Sequence, residues 1–110
     1  MEANEYQKKA MRTRNPKLSE KELLINSVMG LCGESGEVID LVKKHIFHGH
    51  ELDRENLIKE LGDVLWYCAE VSEALGTTLD EVMVKNIEKL KKRYPEGFDQ
   101  ERSIHRENEK

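Results

Sequence analysis

The stretch SEKELLINSVMGLCGESGEVIDLVKKHIF, residues 19–47, predicts one long helix and decides the fold class of the chain. Ser19 and Glu22 have the spacing of a capping box, which marks a helix start, and Gly49 offers a stop beyond the last apolar residue. On a helical wheel the apolar side chains of this stretch fall in one arc, which is expected to pack against other helices. The arc consists of Leu24, Val28, Leu31, Val38, Ile39, Val42 and Ile46.

Residues that start and end helices recur along the rest of the chain, and no part of it has the pattern of a β-strand. Residues 3–13 are expected to form a short first helix. Asp53 can cap a third helix that stops at Gly76, and Thr78 opens a second capping box for a helix that runs to Tyr94. Short connections make sequential helices antiparallel neighbours. The sequence therefore predicts an all-α protein, a four-helix antiparallel bundle-like array.

The composition indicates one domain that finishes its core in an oligomer. The chain has 110 residues, of which 37% are hydrophobic and 36% charged, a low apolar content for a core that one copy buries alone. Residues 1–100 are expected to form the domain, and residues 101–110 a charged, frayed tail. Met29, Phe47 and Trp66 fall outside the main apolar arcs, so we expect them on outer faces as a subunit contact. The prediction is a homo-oligomer, at least a dimer.

Charge, cysteine usage and hydropathy exclude several classes of protein. The net charge of −4 argues against duplex nucleic acid as a partner, because phosphate binding needs a basic face. No apolar run is long enough to cross a membrane. Cys32 and Cys68 form no CxxC pair, and both fall at apolar helical positions. They are expected to be buried free thiols in a reducing cytoplasm, which is the predicted location.

Two pairs of acidic residues carry the chemistry of the sequence. Glu34 lies at the edge of the apolar arc with Glu37 one step outside it, and Glu60 and Asp63 border the apolar arc of the following helix. Like charges three residues apart repel each other on a helix. Antiparallel packing of the two helices would bring all four carboxylates together. Such a group of oxygen donors predicts a site for Mg²⁺, with Mn²⁺ as an alternative.

Glycines beside the first acidic pair strengthen this interpretation. Gly30, Gly33 and Gly36 recur at every third position of a helix, where each costs about 1 kcal/mol relative to alanine. They are expected to let a neighbouring helix or a ligand approach closely. Acidic pairs are otherwise common on solvated helix faces in a chain with 22 acidic residues. The pairs assigned to the solvated surface on that ground are Glu2 with Glu5 and Glu70 with Glu73.

From these residues the chain resembles the MazG-like, all-α nucleoside triphosphate pyrophosphohydrolases. The family signature is E-x-x-E, a variable spacer and E-x-x-D, which reads here as Glu34-Ser35-Gly36-Glu37 and Glu60-Leu61-Gly62-Asp63. The resemblance extends from about Asn4 to Phe98. The segments that carry it are GLCGESGEVIDLVKK, LIKELGDVLWY and NIEKLKKRYPEGF.

The resemblance implies metal-dependent hydrolysis of a (deoxy)nucleoside triphosphate to the monophosphate and pyrophosphate, in nucleotide-pool house-cleaning. It implies a MazG-type fold, a dimer or tetramer, and active sites completed near subunit interfaces. Glu34, Glu37, Glu60 and Asp63 would be the catalytic residues and would hold Mg²⁺. The number of ions, the carboxylate that acts as base and the preferred nucleotide stay open.

The resemblance also implies residues that contact substrate. Asn86, Lys89 and Arg93 share one face of the C-terminal helix, and equivalent residues in the family contact the triphosphate. The alternative is that Lys89 and Arg93 only complement the helix dipole. Tyr67, one turn after Asp63, is expected to line the nucleotide pocket. Family members build the base pocket from the first helix and the start of the long helix, here Tyr6, Gln7 and Asn26.

Three other functions compete with this one. A phosphoribosyl-ATP pyrophosphohydrolase usually surrounds its first acidic motif with a sequence close to GEEATE, whereas this chain has GESGE. A ferritin-like di-iron protein needs Glu-x-x-His on two helices, and no histidine of the chain follows a glutamate at that spacing. A non-enzymatic helical interaction module would carry the acids as surface decoration and would show no stabilisation by divalent metal.

Overall fold

A computed structural model of the chain describes residues 1–106, and it is all-α, as predicted. No β-strand is formed within this range. A 3₁₀ turn, Met11–Thr13, follows the first helix. The five α-helices are α1 Ala3–Ala10, α2 Glu20–Phe47, α3 Arg54–Ala74, α4 Leu79–Arg93 and α5 Gln100–Ile104.

Side-chain caps fix the helix ends where the sequence indicates them. The Ser19 hydroxyl accepts a hydrogen bond from the Glu22 amide at 3.2 Å, and the Glu22 carboxylate accepts one from the Ser19 amide at 3.0 Å. This capping box starts α2. Asp53 caps α3 through the Asn56 amide at 3.0 Å. Gly49 follows α2 in the left-handed conformation, where a side chain would be strained.

The chain divides into two compact units, of which the first is Met1–Leu79 and the second begins at Asp80. The expectation of one domain over residues 1–100, and of α4 as a member of a four-helix bundle, stays a prediction. None of the helices in the part of the chain described is both long and apolar enough to cross a membrane.

An antiparallel pair formed by α2 and α3 is the frame of the first unit. The contacts along the pair run in opposite directions in the two helices. Asn26 contacts Glu70, the next turn of α2 at Gly30 meets the ring of Tyr67, and Glu34 further along lies beside Asp63. The turn of α2 that carries Glu34 therefore faces the turn of α3 that carries Asp63.

The face of α2 that packs on α3 coincides only in part with the predicted apolar arc. Leu23 and Ser27 are buried, and they share their face with Gly30 and Glu34. Three members of the arc are partly buried, namely Leu31, Val38 and Val42. The other four are 38 to 67% exposed, namely Leu24, Val28, Ile39 and Ile46. Packing of these four against other helices stays a prediction.

Exposed apolar side chains also occur on α3. Ile58, Leu61 and Leu65 are 50 to 55% accessible, and Leu75, just after the end of the helix, is 63% accessible. The buried apolar core of the first unit is correspondingly small. It consists of Ala10, Ala69 and Leu79, with the partly buried side chains Ala3, Tyr6, Met11, Trp66 and Cys68 against it.

The side chains of Gln7 and Trp66 attach α1 and the 3₁₀ turn to α3 and to the turn after it. The carboxamide of Gln7, which is 4% exposed, donates to the Glu73 carboxylate at 3.0 Å and to the Thr77 carbonyl at 3.1 Å, and it accepts from the Leu79 amide at 2.6 Å. The indole N–H of Trp66 donates to the Ala10 carbonyl at the end of α1 and to the Thr13 hydroxyl at the end of the 3₁₀ turn.

Some of the burial predictions need correction. Trp66 was expected on an outer face, but it is partly buried beside the core, since its indole N–H finds partners in the folded-back N-terminal segment. Met29 and Phe47 are exposed, as expected. Cys32 is exposed rather than buried, because it lies on the side of α2 away from α3; Cys68 is partly buried, and both are free thiols.

In the second unit, aromatic contacts and a cap organise the segment after α4. The Arg93 guanidinium lies over the ring of Tyr94, 5.9 Å from its centroid, and the Tyr94 and Phe98 rings are 5.3 Å apart. Asp99 caps α5 through the amide of Glu101 at 2.9 Å. This short helix occupies the start of the predicted frayed tail, and fraying there stays a prediction. Residues 107–110 lie outside the described part of the chain.

Candidate metal centre and adjoining cleft

Three of the four predicted acidic residues converge across the α2–α3 pair. Glu34, Glu60 and Asp63 each place one carboxylate oxygen so that all three oxygens lie within 4.8 Å of one another. Glu60 and Asp63 are neighbours at i, i+3 on α3, and the antiparallel register sets Glu34 of α2 against them. Helix geometry and the register of one helix pair are therefore sufficient to form the cluster.

The cluster holds more negative charge than its surroundings neutralise. The pKa of Glu34 is raised, first by desolvation and then by the negative charge of Asp63, with smaller contributions from Glu60 and Glu37. A raised pKa means that the ionised carboxylate is disfavoured where it lies. Three clustered carboxylate oxygens match the ligand preference of Mg²⁺ and Mn²⁺. The donor set therefore fits a hard divalent cation, whose charge would remove the repulsion.

Glu37 lies at the margin of this centre. It is exposed and is not one of the three residues whose oxygens lie within 4.8 Å of one another. Its charge nevertheless contributes to the raised pKa of Glu34. Three residues along a helix rotate a side chain by about 300°, which turns Glu37 partly away from α3. Glu37 therefore lies near the three-carboxylate cluster without belonging to it.

A cleft of about 400 Å³ opens beside the acidic cluster. Two carboxylates and three other side chains line it, namely Glu34 and Asp63 with Thr13, Trp66 and Tyr67. The Trp66 and Tyr67 rings meet edge to face, with centroids 5.0 Å apart and planes at 82°. A volume of this size is within the usual range of small-molecule sites. The cleft thus combines carboxylates with an aromatic wall, and Tyr67 lies where a pocket residue was predicted.

One of the three helix glycines has a clear partner in the chain. A β-carbon at Gly30 would overlap the ring of Tyr67, so only glycine lets the ring lie against α2. Gly33 and Gly36 face open space, where a β-carbon would meet no other part of the chain within 4 Å. The prediction that glycine permits a close approach applies within this chain to Gly30 alone.

A buried polar layer continues the α2–α3 seam beyond the cleft. Glu70, expected on the surface with Glu73, is 1% exposed and accepts a hydrogen bond from the Asn26 side-chain amide at 2.9 Å. That expectation was wrong, because Asn26 supplies a partner that makes burial tolerable. Gln7 and Asn26, which the resemblance placed in a base pocket, therefore bond within the chain. Tyr6 lies near the centre, since its pKa is raised by burial and by the charge of Asp63.

Thr13 is a cleft residue that the sequence did not reveal. Nothing in the local pattern around it marks a site, because its position depends on the folding back of the N-terminal segment onto α3. A usable signal was Trp66, because a partly buried indole N–H normally has a hydrogen-bond acceptor.

The remaining predicted site residues lie on α4 in the second unit. Asn86 and Lys89 are exposed, and Arg93 is partly buried with its guanidinium over Tyr94. Their i, i+3, i+7 spacing places them on one face of α4, as the sequence indicates. Contact of these three residues with a triphosphate stays a prediction.

Comparisons with known proteins bear on the family of the chain. The sequence model of the family described as "MazG nucleotide pyrophosphohydrolase domain" matches residues 24–98, a range that contains all four acidic residues. The Gene 37 protein of Mycobacterium phage L5 is 38% identical over 73 residues, which cover 63% of this chain and 64% of that protein, slightly less than two thirds of its length. No solved structure gives a significant match. The chain therefore belongs to the MazG nucleotide pyrophosphohydrolase domain family.

Proposed function

We propose that the protein is a metal-dependent nucleoside triphosphate pyrophosphohydrolase, which converts (deoxy)nucleoside triphosphates to monophosphates and pyrophosphate in nucleotide-pool house-cleaning. The observation that carries the proposal is the convergence of Glu34, Glu60 and Asp63 within 4.8 Å, beside a cleft with an aromatic wall. Membership of the MazG family supports the same reaction class.

In this proposal the acidic cluster holds Mg²⁺, or Mn²⁺ in its place, with Glu37 as a further ligand or as the base. A bound divalent cation neutralises phosphate charge and lowers the pKa of a coordinated water. The chain's own contribution is to hold three carboxylate oxygens within 4.8 Å of one another, so that a divalent cation is the favoured partner. Tyr67 lines the cleft for the nucleoside. The triphosphate is assigned to Asn86, Lys89 and Arg93, which are polar or cationic residues on one face of α4.

We further propose that the enzyme is a homo-oligomer, at least a dimer, in the cytoplasm. The support is the apolar surface that runs over α2 and α3, where Ile39 and Leu61 are more than half exposed while the buried core is small. Large exposed apolar patches mark interaction sites in soluble proteins. Free thiols at Cys32 and Cys68 suit a reducing compartment.

The experiment that tests the function is a pyrophosphate-release assay over ordinary and modified nucleotides, ribo and deoxy, with Mg²⁺ and with Mn²⁺. The expected products are the monophosphate and pyrophosphate in equal amounts, and release of orthophosphate with a diphosphate would contradict the proposal. Asp63→Asn should abolish turnover with the helices intact by circular dichroism. Glu5→Gln is the matched control, because Glu5 is exposed and pairs with Lys9 on the surface of α1, away from the acidic cluster.

Absence of turnover with every nucleotide, together with absence of any stabilisation by metal, would point instead to a helical interaction module. The exposed apolar surface would then be the part of the protein that binds a partner.

A further inference from the structure

We infer that Trp66 is a positioning residue, which holds the N-terminal strap against α3 and thereby fixes one wall of the nucleotide cleft. The N-terminal strap is residues 3–13, comprising α1 and the 3₁₀ turn. The inference rests on the proposed function, because it assigns a nucleotide to the cleft.

The indole N–H makes two hydrogen bonds to the end of the strap. Nε1 of Trp66 donates to the Ala10 carbonyl at 3.0 Å and to the Thr13 hydroxyl at 2.9 Å. The Thr13 hydroxyl in turn donates to the Ala10 carbonyl at 2.8 Å. A hydroxyl has a single proton to donate, so this network commits the Thr13 side chain to one orientation. We call this hydrogen-bonded group of Trp66, Thr13 and Ala10 the latch, since it joins α3 to the strap.

The latch lies at the cleft itself. Trp66 and Thr13 both line the cleft, and Trp66 is one turn after Asp63 on the helix that also carries Glu60. The buried carboxamide of Gln7 also attaches the strap, but it bonds about two turns further along, at the C-terminal end of α3 and the turn after it. Of these two attachments, the Trp66 latch is therefore the one that holds Thr13 at the cleft.

Because of this geometry, loss of the latch should affect KM and kcat differently. The acidic cluster belongs to α2 and α3 alone, so loss of the latch leaves the metal ligands in place. A displaced strap instead removes one wall from the space that a nucleoside would occupy. Loss of the latch is therefore expected to raise KM and to leave kcat close to its original value, whereas damage to the acidic cluster would lower kcat.

The test uses variants that remove one hydrogen-bonding partner at a time. Trp66→Phe keeps an aromatic ring and removes the donor; Thr13→Val keeps the branched shape and removes the hydroxyl; Thr13→Ser keeps the hydroxyl and is the control. Loss of the latch should raise KM about three- to tenfold in Trp66→Phe and in Thr13→Val, since the bonds lost are worth on the order of a kcal/mol. The double variant should show no additional rise, because both changes break one network.

Limited trypsin digestion provides a second readout that needs no activity. Arg12 and Arg14 flank the latch and are exposed, so a released strap should be cleaved faster after these residues than after Lys21 in the first turns of α2. If the wild type hydrolyses no triphosphate, the proposed function fails while digestion still tests the latch. If Trp66→Phe does not fold, Thr13→Val carries the comparison.

Unchanged cleavage at Arg12 and Arg14 in both single variants would overturn the latch. Faster cleavage with an unchanged KM would overturn the assignment of the strap to the nucleotide cleft. A lowered kcat at constant KM, or equal damage from Thr13→Ser, would also overturn it.

Discussion

The ring of Tyr67 lies against the backbone of Gly30, in space that any β-carbon at position 30 would occupy. Gly30 is about one turn before Glu34 on α2, and Tyr67 is about one turn after Asp63 on α3. The contact therefore sets the separation of the two helices next to the acidic cluster, and it fixes the aromatic side of the cleft. The helix-propensity cost of one glycine is offset by a site geometry that a larger residue would not permit.

Gly30→Ala is expected to impair activity even though alanine is the better helix former. Alanine favours an isolated helix by about 1 kcal/mol over glycine, but here its methyl group must displace Tyr67. We expect a clear loss in kcat/KM, measured by pyrophosphate release. Gly33→Ala is the matched control, because position 33 faces open space in the chain. Its activity should be retained and its thermal midpoint raised; a destabilised Gly33→Ala would indicate that another subunit covers the position.

Divalent metal should stabilise the protein through the acidic cluster. Ligand binding to the folded state alone contributes about 2.7 kcal/mol at a ligand concentration 100-fold above Kd. The thermal midpoint of the wild type should therefore rise with Mg²⁺ or Mn²⁺, and that of Glu60→Gln should rise far less. Thermal melts with and without metal provide the measurement. An equal rise in both proteins would remove Glu60 from the ligand set.

Glu34→Gln should stabilise the metal-free protein near neutral pH. The pKa of Glu34 is raised above its usual value of 4.5 by desolvation and by neighbouring carboxylates. A raised carboxyl pKa means that folding favours the protonated form, so ionisation of Glu34 lowers stability as pH rises through its folded-state pKa. The difference in thermal midpoint between Glu34→Gln and wild type should be positive at neutral pH and should vanish on acidification toward pH 4.5. A difference independent of pH would contradict this account.

Glu70→Ala should destabilise the fold by about 2–3 kcal/mol, because it leaves the Asn26 amide without its buried acceptor and opens a cavity in the helix seam. Urea unfolding provides the measurement. The exposed residue Glu88 offers the control, since Glu88→Ala should change the unfolding free energy by less than about 0.5 kcal/mol. Similar effects of the two changes would show that the Asn26–Glu70 bond contributes nothing to stability.

Ile39→Glu should dissociate the proposed homo-oligomer, because it places a charge in the exposed apolar surface of α2. Light scattering at micromolar concentration should show a wild-type mass of at least two subunits and a lower mass for the variant. Lys21→Glu, which also adds an acid at an exposed position of α2, is the control and should keep the wild-type mass. A monomeric wild type would defeat the proposal.

Local chemistry made much of this fold predictable. The capping box at Ser19, the cap at Asp53 and the glycine after each long helix give the ends of α2 and α3 within about one residue, since these signals act over a single turn. The acidic cluster could also be predicted from the sequence, because i, i+3 spacing and an antiparallel register are sufficient to bring Glu34, Glu60 and Asp63 together.

The packing face of α2 could not be obtained in this way. Hydrophobic periodicity reports which side chains avoid water, but it does not say which surface covers them. Leu24 and Ile39 belong to the most apolar side of α2, yet within the chain α3 contacts the side that carries Ser27 and Gly30. The latch between Trp66 and Thr13 was hidden for a related reason, because it joins residues 53 positions apart through a turn with no distinctive sequence.

The three hydrogen bonds of Gln7 have a consequence for the order of events during synthesis. They join the chain's beginning to partners 66, 70 and 72 positions later. Glu73, Thr77 and Leu79 are synthesised well after Gln7, so these bonds can form only once α3 and the turn after it have been made. Contacts of such high sequence separation slow folding because a long loop must close first. Docking of the Gln7 side chain is therefore a late step in the folding of the first unit.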